Sequence, residues 1–332
     1  MTPLAANRPM KTSVLIPTYN SERTIEATLD SVFSQTIPSD EILVMDDGST
    51  DKTVSLLSRH VPRITLLQQR NRGVAHARNI LAGRARGDLI AFLDHDDLWH
   101  PKYIATQRKL FADHPRAVGF FTGHDNVFGH GHYEWEDSDP DDQKGVEVIA
   151  ALEFLQRYHK ANGPFASMSF FCVPKTIMCR LGQEPFCPEV SGVDDFYLFH
   201  SLILLGPIVF SPKPMVAYRI TPGAQSASLL KLVQKAVRSL ELLEPRFRGQ
   251  SDLRLRRAFN AVFSSQRREY GRVLMGTSQR DQARKQLWLS MRHSYHPISL
   301  VKSLVLLFLT GVPNRFQPRW PSEWKASHSL PG

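Results

Sequence analysis

The chain has 332 residues, 42% of them hydrophobic, with 41 Lys and Arg against 32 Asp and Glu and a formal net charge of +9. That length and composition exclude collagen-like, low-complexity and disulfide-stapled chains, and the shortness of the apolar runs excludes a polytopic membrane protein. A chain this long buries a full core, as one large domain or as a catalytic domain with an appendage.

The N-terminal stretch MTPLAANRPMKTSV lacks the continuous apolar run of a cleaved secretory signal. Cys172, Cys179 and Cys187 match neither a zinc knuckle nor a redox pair, and a sparse, odd set fits a reducing compartment. A cytoplasmic location is expected. TSVLIP (12–17) is β-branched rich and reads as a strand buried on both faces. A helix is expected from about Ser21, with Ile25, Leu29, Val32 and Phe33 on one stripe. EILVMD (41–46) is the second strand, a second helix follows Ser49, and ITLLQQ (64–69) is the third strand. Gly73 precedes a third helix to about Ala85, and LIAFLD (89–94) is the fourth strand. Short apolar runs alternating with amphipathic stretches are the pattern of βαβ units in a mostly parallel sheet.

Beyond residue 115 the pattern loosens. AVGFFTG (117–123) has strand character, 124–144 reads as a polar loop, and ANGPFASMSFFCVP returns to strand. VDDFYLFHSLILLG (193–206) reads as a helix and PIVFSPKPMVAYRI as a strand pair interrupted by prolines. Residues 228–293 are helical by composition. No short repeat is evident.

Three strands end in polar clusters: PTYNSE, DDGSTD and DHDD. In an open parallel sheet, ligands bind outside the carboxyl ends of the strands. Asp94, Asp96 and Asp97 can converge on one divalent cation, magnesium or manganese, which could neutralise a diphosphate leaving group. Turn and N-cap duty is the alternative for them. Asp46 and Asp47 offer carboxylates to the imide N–H of a base, with Gly48 as a permissive backbone, or cap the turn. Tyr19 can border a base, and Asn20 and Glu22 can bind ribose or cap the helix. Three such clusters at one mouth favour nucleotide binding.

The runs TSVLIPTYNSERTIEATLDSVFSQT, EILVMDDGSTDKT and NRGVAHARNILAGRARGDLIAFLDHDDLWHP resemble, in order and spacing, the N-terminal half of family 2 glycosyltransferases of the bacterial cell-surface polysaccharide type. The resemblance extends from residue 12 to about 220. It implies a type A glycosyltransferase fold: α/β, with a Rossmann-like, mostly parallel sheet flanked by helices, here with a helical C-terminal extension. It implies that Pro17, Tyr19 and Asp47 surround the nucleoside, that Arg78 and Asn79 lie near the nucleotide, and that Asp94-His95-Asp96 is the DxD motif, with Asp96 the direct metal ligand. It further implies that the catalytic base is in the later acidic pair, Asp194 and Asp195, with Asp195 preferred. The family more often has Glu at the first position of that pair. The activity implied is inverting transfer of one sugar from a nucleotide-sugar donor, UDP-linked, to a hydroxyl of a glycan or lipid-linked acceptor. A non-catalytic nucleotide-sugar-binding module would lack the DxD or base acids, and a sugar-phosphate nucleotidyltransferase would want a glycine-rich basic loop where PTYNSE stands.

The expected division is a catalytic domain over 10–225 and a basic helical extension over 226–332. Residues 231–332 carry 19 Lys and Arg against 6 Asp and Glu, and residues 1–230 carry 22 against 26. An acidic mouth argues against nucleic acid as a partner. The apolar segment 298–313 is too short to cross a bilayer but suits an interfacial anchor on the anionic inner face of a membrane; a core helix is the alternative.

Overall fold

In the computed structural model, which describes residues 10–129, 133–135, 144–161, 167–220, 229–277, 279–294 and 296–311, the first strand, β1 (Thr12–Thr18), is buried at every position. It lies between two parallel neighbours, β2 (Glu41–Asp46) and β4 (Leu89–Phe92). A strand covered on both faces and paired on both edges has no solvated side, which is why its sequence is a continuous apolar run rather than an alternation. β3 (Thr65–Gln68) extends the parallel set beyond β2.

The connections are helical: α1 (Ile25–Phe33), α2 (Thr53–Ser58) and α3 (Val74–Arg84). Ile25, Leu29 and Val32 are buried on α1 as their spacing predicts. The helix begins four residues later than expected, because Ser21–Thr24 form turns. After β4 come a two-residue strand, β5 (Leu98–Trp99), and α4 (Tyr103–Asp113), neither read from the sequence.

β6 (Gly119–Phe128) runs five residues into the stretch read as loop. β7 (Glu147–Ile149), α5 (Ala151–Ala161), β8 (Phe171–Pro174) and α6 (Lys175–Arg180) follow. Then come α7 (Asp194–Leu202) and β9 (Ile208–Ile220). The expected proline-broken strand pair is thus one strand of 13 residues. Its register against β6 shifts around Gly123, where Pro212 to Met215 are accommodated. Prolines lack the N–H that a ladder needs, and a bulge removes that demand without ending the strand. A Cβ on Gly123 would stand 2.3 Å from the Pro212 carbonyl oxygen. The sheet order is β3-β2-β1-β4-β8-β6-β9-β5, with β7 on β9. β8 is antiparallel to both its neighbours, while β6 and β9 are parallel.

The chain divides into two compact units. The first holds Met1–Ile149, Ala166–Ser191 and Leu202–Thr221; the second holds Ala150–Phe165, Gly192–Ser201 and Pro222–Gly332. The whole sheet belongs to the first. The second adds α8 (Leu229–Arg248), α9 (Leu253–Gly276), α10 (Arg280–Arg292) and α11 (Pro297–Leu309). α9 is its centre, packing on α5, α8 and α10. Among the described residues no helix is long and apolar enough to cross a membrane.

Candidate active site

The loops after β2, β1 and β4 leave the carboxyl ends of three adjacent parallel strands. Pro17 is buried within β1, opposite Met45, and Tyr19 stands at the strand's exit, 39% exposed. The β1 and β2 loops are laced together. Asn20, in the left-handed region at φ 49°, donates its N–H to Ser49 Oγ at 2.9 Å, and its Oδ1 accepts the Thr50 N–H at 2.8 Å. The Glu22 N–H reaches the Asp51 carboxylate at 3.1 Å, and Glu22 Oε2 accepts the Lys52 N–H at 3.0 Å. Asn20 and Glu22 therefore act as struts between two loops.

Both acids of the second cluster are buried and engaged by backbone. Asp46 accepts the N–H groups of Gly48 and Ser49. Asp47 accepts the N–H of Arg72 at 2.8 Å on one oxygen and that of Gly73 at 2.8 Å on the other, and also the Gln69 amide at 2.7 Å. Its carboxylate thus pins the segment that opens α3. Gly48 has φ 81°, and a Cβ there would lie 2.8 Å from the Asn71 nitrogen, so the turn requires glycine. Gln69 in turn lies 3.0 Å from His76 Nδ1, completing a chain from Asp47 to α3.

On α3, Arg78 is buried and its Nη2 meets Asp94 Oδ1 at 2.6 Å. Asn79 turns elsewhere and clamps the Phe186 peptide, donating to its oxygen at 2.7 Å and accepting from its N–H at 3.0 Å.

The DHDD segment is held from several sides. Ser169 Oγ accepts the Asp94 N–H at 3.1 Å, and the Thr28 hydroxyl of α1 lies 2.9 and 3.0 Å from the carbonyl oxygens of His95 and Asp97. Asp97 is buried and accepts the Arg219 N–H at 2.8 Å. Burial pushes the Asp96 carboxyl above the usual carboxylate range, opposed by His95 and reinforced by the charge of Asp94. Burial raises Asp97 well above that range, with the charges of Asp96 and Asp94 adding to it. Arg219, at the end of β9, is lowered by burial, with Asp97 and Asp96 opposing that loss. Arg219, Ser169 and Gln69 were not singled out in the sequence. They come from segments far from the motifs they support, and nothing local marks them.

Among the described residues, no group of three or more His, Cys, Asp or Glu side chains is arranged as a metal cage. A Mg²⁺-type site does not need one: one or two carboxylates suffice when phosphate oxygens and water complete the shell. Asp94 and Asp96 offer that donor set. The crowding in which Asp94 raises Asp96, and both raise Asp97, is one that a cation would relieve.

His124 lies on β6, its ring stacked on Phe170 at 4.5 Å between centroids, and burial lowers its pKa. His130 and His132, in the stretch read as a polar loop, lie outside the described residues.

In the second unit, α7 opens with the later acidic pair. Asp194 is buried and accepts the Gly192 N–H at 2.8 Å, whereas Asp195 is half-buried and accepts the Phe196 N–H at 2.7 Å. Burial, with the charge of Asp195 second, raises the pKa of the Tyr158 phenol.

A parallel sheet with a mixed extension and acid-bearing loops at its carboxyl mouth is the type A glycosyltransferase fold. The family model described as glycosyl transferase family 2 matches residues 13–176, and that part of the chain belongs to the family. It is 27% identical over 232 residues to glycosyltransferase GlyA of Streptococcus pneumoniae, covering 65% of this chain and 31% of that protein. It is 45% identical over 89 residues to the Escherichia coli UDP-Glc:alpha-D-GlcNAc-diphosphoundecaprenol beta-1,3-glucosyltransferase WfgD, covering 26% and 35%. The matches thus span about a third of the length of these relatives. Among solved structures, the 1–349 fragment of S. aureus TarS in complex with UDP-GlcNAc superimposes with a TM-score of 0.66 at 16% identity, covering 91% of this chain and 90% of that one. At that identity the likeness speaks for the fold.

Proposed function

We propose that this protein is an inverting, metal-dependent glycosyltransferase of cell-surface polysaccharide synthesis, moving one sugar from a UDP-linked donor to a hydroxyl of a glycan or lipid-linked acceptor. The observation that carries the reading is the convergence of the β1, β2 and β4 loops at one sheet mouth, with Asp94 and Asp96 on the last of them. The similarity to WfgD, named for a UDP-Glc donor and a diphosphoundecaprenol-linked acceptor, supports the donor and acceptor classes.

In this reading residues 10–225 supply the chemistry and 226–332 the basic extension. Tyr19 borders the base, and the laced loops of Asn20, Glu22, Asp46 and Asp47 fix the rim of the nucleoside pocket. Asp94 and Asp96 would hold magnesium or manganese, which supplies charge neutralisation of the diphosphate. Arg78 holds Asp94 in place. Asp195 takes the proton of the acceptor hydroxyl, since such a group is a weak nucleophile until a base within hydrogen-bond reach removes it. The acceptor oxygen then bonds to the anomeric carbon while the bond from that carbon to the diphosphate oxygen breaks, inverting the centre and releasing the nucleoside diphosphate.

The test pairs a nucleotide-sugar screen, read by thermal protection, with the variant Asp195→Asn. The variant is expected to lose transfer by at least about a thousandfold while retaining nucleotide protection, because the base acts only in the chemical step. A chelator should remove the protection from both proteins. Transfer that survives in Asp195→Asn would refute the assignment of the base, and protection indifferent to chelator would refute the metal.

A further inference from the structure

α11 carries its polar and apolar faces the opposite way round from a surface helix of a water-soluble bundle. At about 100° per residue, Ser299, Ser303 and Thr310 share one narrow arc. That arc faces the protein. Ser303 and Thr310 are buried. The Ser290 hydroxyl of α10 donates to Ser303 Oγ at 2.8 Å, and Arg284 Nε donates to Thr310 Oγ1 at 3.1 Å. Arg268 Nη1 of α9 donates to Ser299 Oγ at 2.8 Å.

The opposite arc, about 120° wide by the same count, holds Ile298, Val301, Leu304, Val305 and Phe308. All five are exposed, from 47% at Leu304 to 76% at Phe308. A helix normally turns its apolar stripe to the core and its polar face to water. Here hydroxyls bind the bundle while five large apolar side chains point away from it, and a contiguous patch of that kind marks a contact surface.

The charges around the patch identify what covers it. Between Asp281 and Glu323 the sequence has six Lys and Arg and no Asp or Glu. A self-complementary contact between two copies would bring that cationic stretch against itself. An anionic surface complements it. A helix of 13 residues is about 20 Å long, short of the roughly 30 Å hydrocarbon layer, so it suits the interfacial plane and not a crossing.

We propose that α11 is an in-plane membrane anchor, with Ile298, Val301, Leu304, Val305 and Phe308 inserted among the acyl chains of an anionic phospholipid bilayer and the cations of residues 282–311 against its headgroups. Binding of this kind combines apolar insertion with electrostatic attraction. The partner surface deepens the proposed role in cell-surface polysaccharide synthesis, but its assay needs no donor, acceptor or turnover and so stands or falls apart from the transfer reaction.

The experiment is co-sedimentation of the full chain with phosphatidylcholine vesicles with and without phosphatidylglycerol. The wild-type chain should bind the anionic vesicles, less so as salt rises. The double variant Val305→Glu/Phe308→Glu should bind at least about tenfold more weakly, with an unchanged melting temperature as the check on folding. Removal of residues 312–332 should leave vesicle binding in place. The proposal is overturned if the wild-type chain stays in the supernatant, or if the double variant binds equally well. It is also overturned if the face proves to be covered otherwise: by a second copy, seen as a vesicle-free dimer that the double variant dissociates, or by residues 312–332, seen as binding that appears only after their removal.

Discussion

Asp47 is asked to do two things, and one substitution separates them. Its two oxygens take three donors, the N–H groups of Arg72 and Gly73 and the Gln69 amide. A buried carboxylate with that set of partners is a structural clamp in its own right. Asp47→Ala would leave two backbone N–H groups at the start of α3 without their acceptor, a loss of about 2–4 kcal/mol by the usual cost of stranded buried donors. The expected outcome is a clearly lower denaturant midpoint without any nucleotide present. If the variant unfolds like the wild type and loses only nucleotide protection, the carboxylate matters through the ligand alone. Asn79 shows the same economy: read as a nucleotide-side residue, it spends its amide on the Phe186 peptide. Residue type and spacing announced polar groups at the mouth, but the direction in which each carboxylate or amide turns depends on the loop that folds beside it.

α5 and α7 enclose a histidine whose charge is costly. His200 is buried, its ring 4.2 Å from that of Phe196 and 5.2 Å from that of Tyr158, with Nδ1 2.8 Å from the Phe196 oxygen. Burial pulls its pKa down to about 4, against the Phe196 carbonyl, which favours the proton. In an unfolded chain the same imidazole titrates near 6.5. Between those values the unfolded state binds the proton and the folded state does not, so stability present at neutral pH is lost as the pH falls from about 6.5 to about 4, by roughly 3 kcal/mol. His200→Phe keeps the aromatic packing and removes the titration. The urea midpoint of the variant should fall less between pH 7 and pH 4.5 than that of the wild type; parallel declines would disprove the role of His200. At this scale the sequence was legible where packing follows a simple period. β1, β2 and β4 fell close to their expected places because each is a buried strand, and α1 because it buries one side. β9 was misread because Pro212 and Pro214 speak for a break, while the bulge opposite Gly123 that tolerates them is a property of its partner strand. β5 escaped because a two-residue strand has no period at all. Arg219, Ser169 and Gln69 escaped because their importance lies wholly in neighbours brought by topology.

The boundary expected near residue 225 follows composition, whereas the compact units follow contacts, and the two lead to different fragments. Residues 150–165 and 192–201 belong with the C-terminal helices. α5 packs on α9, and Phe154 and Leu155 of α5 are buried. The Phe154 ring lies edge-on to His200 of α7, within the same unit. A fragment ending at residue 225 keeps α5 and α7 but discards α8, α9 and α10. It would expose the apolar side chains with which α5 packs on α9, at about 1.5–3 kcal/mol for each large one left in water. With a total stability of only about 5–15 kcal/mol, a few such losses consume the margin. The 1–225 fragment should therefore be insoluble or melt far below the full chain. A chain ending at residue 294 loses α11, which meets α9 and α10 through hydrogen bonds to Ser299, Ser303 and Thr310 and buries no large apolar side chain fully, and should remain folded. Comparing the two fragments by thermal melting decides the matter: a 1–225 fragment as stable as the full chain would mean that the catalytic domain closes on itself and that the helical extension is an attachment rather than part of its fold.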